Sequence, residues 1–198
     1  MAIDRKKIIK EMSKVSVIGN EEGLIAAFNV YVQQLPADFW NGFARRIVNY
    51  VPDDLVESAE ELLVNAALEC GYHTGYGIIT SDEWNRIVKP MIEKEPEDIL
   101  HGAFAVFTAW GWAKSEVIDI VPKEKMVVRA YDYYESDIMQ YGNASRPCAY
   151  MIRGVSSAFM DLAYGNKPYP DGMGTFTCTQ TKGIELGDDY GEFVVTPV

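Results

Sequence analysis

The chain predicts an α+β domain, with helices packed on one face of a twisted, largely antiparallel sheet. Three observations carry that expectation. Apolar residues recur at helical spacing through most of residues 1–112. β-branched runs separated by turn residues dominate residues 113–198. One small-residue helix, from Cys148 to about Tyr164, interrupts those runs. Helices first and hairpins later is the pattern of helices segregated to one face of an antiparallel sheet. With 198 residues, 48% of them hydrophobic and 24% charged, the composition is that of an ordinary globular chain. It fits a single domain over 1–198 that can bury a sizeable core.

Taken in order, Ile3, Ile8, Ile9 and Met12 lie beside Arg5, Lys6, Lys7, Lys10 and Lys14 and predict a solvated terminal helix. Leu24, Ile25, Phe28, Val32 and Leu35 fit a second helical stripe between Gly23 and Pro36. A third, Ala37 to Tyr50, sets Phe39, Trp40, Phe43, Ala44, Ile47 and Tyr50 on one side. After Pro52 the clearest amphipathic helix runs from Leu55 to Cys70, with Cys70 on its buried face and Gly71 as its stop. Gly71 to Gly77 reads as a loop or short edge strand. Thr80 and Glu83 form a capping box for the next helix, and Pro96 opens another with Ile99, Leu100, Ala103, Phe104 and Phe107 on its face.

Past Trp112 the period changes. Glu116 to Val121 and Met126 to Tyr131 predict a hairpin around Pro122-Lys123-Glu124-Lys125. Tyr133 to Tyr141 is a short helix or turn. The Cys148 helix carries Met151, Ile152, Val155, Phe159 and Leu162 on its apolar side, and Arg153, Ser157 and Asp161 on a polar stripe expected to face solvent, with a site wall or a subunit contact as the alternative. Gly154 and Ala158 allow another backbone to approach this helix. Thr175 to Thr181 and Tyr190 to Thr196 are the last strands.

Charge narrows the partners. A formal net charge of −11, spread over both halves, repels phosphate backbones and anionic membrane surfaces. The N-terminus lacks the apolar core of a signal peptide, and no apolar run approaches membrane-spanning length. Three scattered cysteines, Cys70, Cys148 and Cys178, make no disulfide framework. A cytoplasmic chain with reduced thiols follows as the expectation, with no nucleic-acid or membrane partner. Neither a P-loop nor a dinucleotide-binding glycine pattern occurs, and no cofactor is expected.

Three spots, in order, carry a resemblance. They are Gly111-Trp112 ahead of the first β-run, Tyr134-Glu135-Ser136, and Arg146-Pro147-Cys148 leading to Met151-Ile152-Arg153-Gly154. The succession resembles the vinyl-4-reductase-type hydrocarbon-binding domain, also found as the sensory domain of some aromatic-responsive regulators. The resemblance covers roughly half the chain and implies helices on one face of a sheet and, commonly, a dimer. It also implies a zinc site of one Glu and three Cys. Here the positions in register with those cysteines are Ala149, Gly183 and Gly191, so no zinc is expected.

The resemblance and the stock of soft and aromatic side chains point to a non-catalytic domain that binds an apolar or aromatic molecule, as a homodimer. The expected lining is Phe104, Phe107, Trp110, Trp112, Tyr131, Tyr134, Met151, Val155 and Phe159, with Tyr134, Glu135 and Arg153 orienting the ligand. No catalytic residue is expected. Two alternatives stay open: a small reductase or Cys-dependent hydrolase using the same pocket, and a dimerising scaffold without ligand. For hydrolysis, Cys148 or Cys178 would be the nucleophile, with Cys148 favoured by its place at a helix start and by Arg146 nearby.

Overall fold

The computed structural model describes residues 3–198. Helix α1 (Arg5–Met12) begins at Asp4, whose carboxylate accepts the Lys7 N–H. It buries Ile8 and Met12 on the protein and keeps its lysines outside. Arg5 ties it down by donating to the Thr108 hydroxyl at 2.7 Å and to the Ser115 carbonyl.

The stripe over residues 24–35 is a hairpin, not a helix. Strands β1 (Ile25–Ala27) and β2 (Val30–Val32) pair antiparallel across Phe28 and Asn29, both left-handed at φ 52° and 58°. That two-residue turn matches the strand twist, but without a glycine it leaves no sequence signal. Phe28 holds it in place, fully buried with its ring 4.3 Å from that of Trp110.

Helix α2 (Ala37–Tyr50) forms where expected, yet its apolar side is largely outside: Phe39 is 50% exposed and Phe43 44%. Its buried residue is Asn41, which donates to the Tyr134 carbonyl at 2.7 Å. Helix α3 (Val56–Thr80) does not stop at Gly71 and absorbs the whole glycine-tyrosine segment. The reason is packing. A Cβ on Gly71 would lie 3.0 Å from the Val155 Cα, and one on Gly75 would lie 2.8 Å from Leu162. These glycines let α3 and a second helix touch, and that tertiary gain outweighs their poor helix propensity. Ser81, one residue later than expected, caps α4 (Asp82–Ile87) by accepting the Trp84 N–H. Helix α5 (Glu97–Ala109) follows Pro96 and is buried along Leu100 and residues 102–107.

The second half matches the expected order closely. Strands β3 (Ala113–Val121) and β4 (Lys125–Tyr133) form a hairpin. A short turn (Tyr134–Ser136) and helix α6 (Ile138–Tyr141) lead to α7 (Tyr150–Tyr164), then to β5 (Phe176–Lys182) and β6 (Gly191–Pro197). The four strands make one antiparallel sheet in the order β3-β4-β6-β5, with Val128 opposite Phe193 and Cys178 opposite Val195. Its inner face, including Val117, Met126, Val128, Phe193, Val195 and Phe176, is buried. The architecture is α+β.

Helix α7 is the central element, packed between α3 and the sheet. Gly154 meets the α3 backbone, and Ala158 is fully buried there as well. Their spacing therefore serves α3 and offers nothing to a second subunit. The stripe expected to face solvent is also inside. Asp161 is buried and accepts the N–H groups of Gly174, Thr175 and Phe176 at 2.7, 3.0 and 2.9 Å, which pins the start of β5. Ser157 is buried, and Arg153 donates to the Cys178 carbonyl at 3.3 Å. A polar residue mid-helix can face a neighbouring loop's unpaired N–H groups as readily as water.

Candidate functional site

Three adjoining concavities meet at Cys70 and Trp112. The inner one, about 30 Å³, lies between α3, α5 and α7 and is bordered by Phe107, Trp110, Val155 and Phe159. A second, about 380 Å³, opens between α2, α3 and residues 143–151. The third, about 700 Å³, opens between β2, the start of α2 and residues 109–112. Cys70 and Trp112 border all three, and Trp40 and Tyr134 border both outer ones. The inner space holds a water or two at most. The outer clefts have the size of small-molecule sites.

The chain builds this place from ordinary parts. Gly111, at φ 75°, turns the chain sharply at the end of α5 and sets Trp110 and Trp112 on its two sides. A side chain other than glycine's would be strained there. Cys70 is exposed on α3, contrary to its expected place in the core, because the α2 face above it stands off. Tyr134, in the turn after β4, is fixed through its backbone carbonyl by Asn41. Its hydroxyl has no partner among the described residues, and burial, then the charge of Glu135, pushes that phenol upward. Neutral and unpaired, it is a free donor at the junction of the clefts.

The residues expected to line a pocket divide into three groups. Phe107, Trp110, Trp112, Tyr134, Met151, Val155 and Phe159 border the connected spaces. Phe104 stands behind them, fully buried, with its ring 5.2 Å from that of Phe159. Tyr131 lies on the outer face of the sheet, 42% exposed and bonded to Glu116 at 2.8 Å, because alternation along β4 turns it away. Arg153 points to β5. Glu135 borders the second cleft, but its two oxygens already accept the Met151 and Ile152 N–H groups at 2.8 and 3.1 Å. It caps α7 in the manner of an acid at a helix N-terminus. Burial nevertheless pushes its carboxyl up to about 8. Sequence reasoning missed Cys70, Thr74, Trp40 and Arg45 as site residues, since each reads as an ordinary helix or loop residue until the helices are packed.

The zinc chemistry implied by the resemblance does not fit these residues. Ala149 is fully buried, and its N–H donates to Gln180 at 3.2 Å. A Cβ on Gly183 would meet Gln180 at 2.5 Å and the Glu185 carboxyl at 2.8 Å, and one on Gly191 would meet the rings of Phe193 and Tyr133 at 2.9 Å. Glu185, fully buried, accepts from the Tyr133 hydroxyl and from the Gln180 amide. A hydrogen-bonded trio fills the space, and no group of three or more His, Cys, Asp or Glu among the described residues could hold a metal. Elemental analysis of the purified chain is expected to find well under 0.1 zinc per chain (roughly, for a site without donors); one zinc per chain, lost on Glu185→Gln, would contradict this.

Nucleophilic chemistry is poorly served. Cys148 precedes α7 by two residues, and burial, with the charge of Glu185 next, pushes its thiol up to about 12. Arg45 pulls it the other way, less strongly. Burial also pushes Cys178 up to about 12. His73 bonds to the Tyr169 hydroxyl at 2.9 Å, and burial lowers His101.

Helices over a four-stranded antiparallel sheet, with apolar clefts converging at the helix-to-sheet turn, define the class as α+β. No protein-family profile and no curated protein matches the sequence. Solved structures do match the fold. One is the phenol-responsive sensory domain of the transcription activator PoxR with phenol, at a TM-score of 0.72 and 14% identity over 100% of this chain and 92% of that one. Another is a trafficking protein particle complex subunit 3 from Naegleria fowleri covalently bound to palmitic acid, at a TM-score of 0.56 and 14% identity over 82% and 92%. A third is a vinyl-4-reductase family protein from Methanocaldococcus jannaschii, at 0.48 and 16% over 98% and 94%. At these identities the likeness is one of fold. The fold shared with the first of them is the one that the resemblance in the sequence implies.

Proposed function

We propose that this chain is a non-catalytic binding domain for a small apolar or aromatic molecule held in the clefts around Cys70 and Trp112. The observation that carries the reading is the junction itself: apolar walls with one unpaired phenol, that of Tyr134, in half-buried surroundings. Apolar burial at roughly 25 cal/mol per Å² supplies affinity, and the Tyr134 hydroxyl sets orientation. The fold shared with a phenol-responsive domain supports a ligand-binding role. The raised thiols support a non-catalytic one, because the thiolate is the reactive form. A thermal-shift screen of phenols, other aromatics, fatty acids and isoprenoids is the test. If no compound raises the melting temperature, the scaffold reading takes its place.

We further propose a homodimer in a reducing compartment, where the three free thiols persist. With Gly154 and Ala158 committed to α3, an apolar surface open to a second copy is that of α2, where Phe39 and Phe43 are exposed. No helix among the described residues is long and apolar enough to cross a membrane. Light scattering at micromolar concentration is expected to return twice the chain mass; a value near 22.2 kDa would overturn the dimer.

A further inference from the structure

We infer that the ligand carries a carboxylate head, read by Arg45 in the cleft between α2, α3 and residues 143–151, while its apolar body lies against Trp112 and Cys70. This rests on the proposed function and deepens it by naming the ligand class: an amphipathic aromatic or aliphatic acid.

The charges around that cleft single out Arg45. Its guanidinium lies 4.3 Å from the Tyr141 ring centroid, and among the described residues it has no carboxylate partner. Arg5 and Arg153 are also half-buried without an acid, but their guanidiniums donate to hydroxyl or carbonyl oxygens; Arg45 has no hydrogen-bond acceptor among the described residues. The other cation of the cleft, Arg146, is spoken for, with its Nε 3.1 Å from Glu60. Glu60 also accepts from the Tyr150 hydroxyl at 3.1 Å, so its charge is doubly satisfied. Glu135 spends both oxygens on α7, and its raised pKa keeps its charge small at neutral pH. The Cys148 thiol is neutral. One positive charge is left over.

The surroundings make that charge effective. Trp40, Phe43, Ala44, Leu63, Ala66 and Trp112 give the cleft apolar walls, which lower the local dielectric below that of bulk water and strengthen a charge-assisted hydrogen bond. A planar guanidinium resting on an aromatic ring keeps its N–H edge free for a carboxylate, which it binds in two-point fashion. The same cleft reaches Cys70 and Trp112, where it meets the inner apolar space. The arrangement has a polar end and an apolar end, and an acid with a hydrophobic body matches both.

Calorimetric titration with 4-phenylbutyrate and with 4-phenylbutan-1-ol separates the head from the body. The acid is expected to bind about tenfold more tightly than the alcohol, which is about 1.4 kcal/mol. Arg45→Gln should remove that preference and leave alcohol binding unchanged, which also shows that the variant is folded; Arg45→Lys should restore part of it. If the alcohol binds wild type as well as the acid, or if Arg45→Gln keeps the preference, the head-group inference falls and the apolar-site reading stands. If wild type binds neither compound, both fall.

Discussion

Gly154→Ala is expected to cost about 3 kcal/mol, the upper part of the usual range for overpacking a core. A methyl group there would lie 2.4 Å from the Val64 carbonyl oxygen and 2.5 Å from both the Ala67 Cβ and the Leu68 amide nitrogen. Two of these are backbone atoms of α3 and the third is fixed to it. No side chain can rotate away, so α3 and α7 must separate. They form the most extensive helix pair of the fold, and Gly71 and Gly75 fit the same seam from the other side. In a domain of this size each kcal/mol shifts the melting temperature by roughly 2–4 °C, so the loss should be roughly 6–12 °C. Gly19→Ala is the control, because its added methyl would meet only Ile25, at 3.9 Å. A loss under about 2 °C in Gly154→Ala, within the range of neutral surface changes, would mean that the seam is looser than these distances.

That seam also explains how much of the fold was legible. The order of elements from α5 to β6 could be read from the sequence, because the β-rich runs around Val117, Val128 and Phe193 are bounded by turn residues and the helices keep their apolar period. The misread elements share one cause: their conformation is decided by a partner far away in sequence. Gly71 reads as a helix stop until Val155 is set against it. Residues 24–35 have helical spacing, and only the burial of Phe28 against Trp110 makes a hairpin of them. Asp161 reads as surface until the N–H groups of residues 174–176 arrive.

The candidate site was legible to the same degree. Among the residues that border the clefts, Trp110 and Trp112 belong to a local signal, Met151, Val155 and Phe159 share a helix face, and Tyr134-Glu135 is one of the spots that carry the resemblance. Trp40, Cys70, Thr74 and Arg45 have no such signal. Cys70 was assigned to the core from the period of α3, yet that period fixes only which residues share a face, and α2 covers the face incompletely. Arg45 sits on a helix whose inner side contacts residues 134 and 141–148, about a hundred positions on. No spacing rule connects such residues.

Cys70→Trp is expected to abolish ligand binding while leaving the fold as stable as before. Cys70 borders all three spaces and is exposed, so an indole there would occupy the junction without displacing buried atoms. Filling the site from α7 instead, with Val155→Trp, would confuse the result. Val155 is buried, and its Cα already marks the limit of approach for Gly71, so that change would force α3 and α7 apart. In wild type, a compound chosen from the thermal-shift screen should stabilise the protein by about 2.7 kcal/mol at a hundredfold excess over its dissociation constant, roughly 5–10 °C in a domain of this size. Cys70→Trp should melt within about 1–2 °C of the unliganded wild type, the range of a neutral surface substitution, and should not respond to the compound. Cys70→Ala should respond as wild type does, since it widens the junction and keeps the Tyr134 donor. An equal thermal response in Cys70→Trp and wild type would place the ligand elsewhere and overturn the assignment of the site.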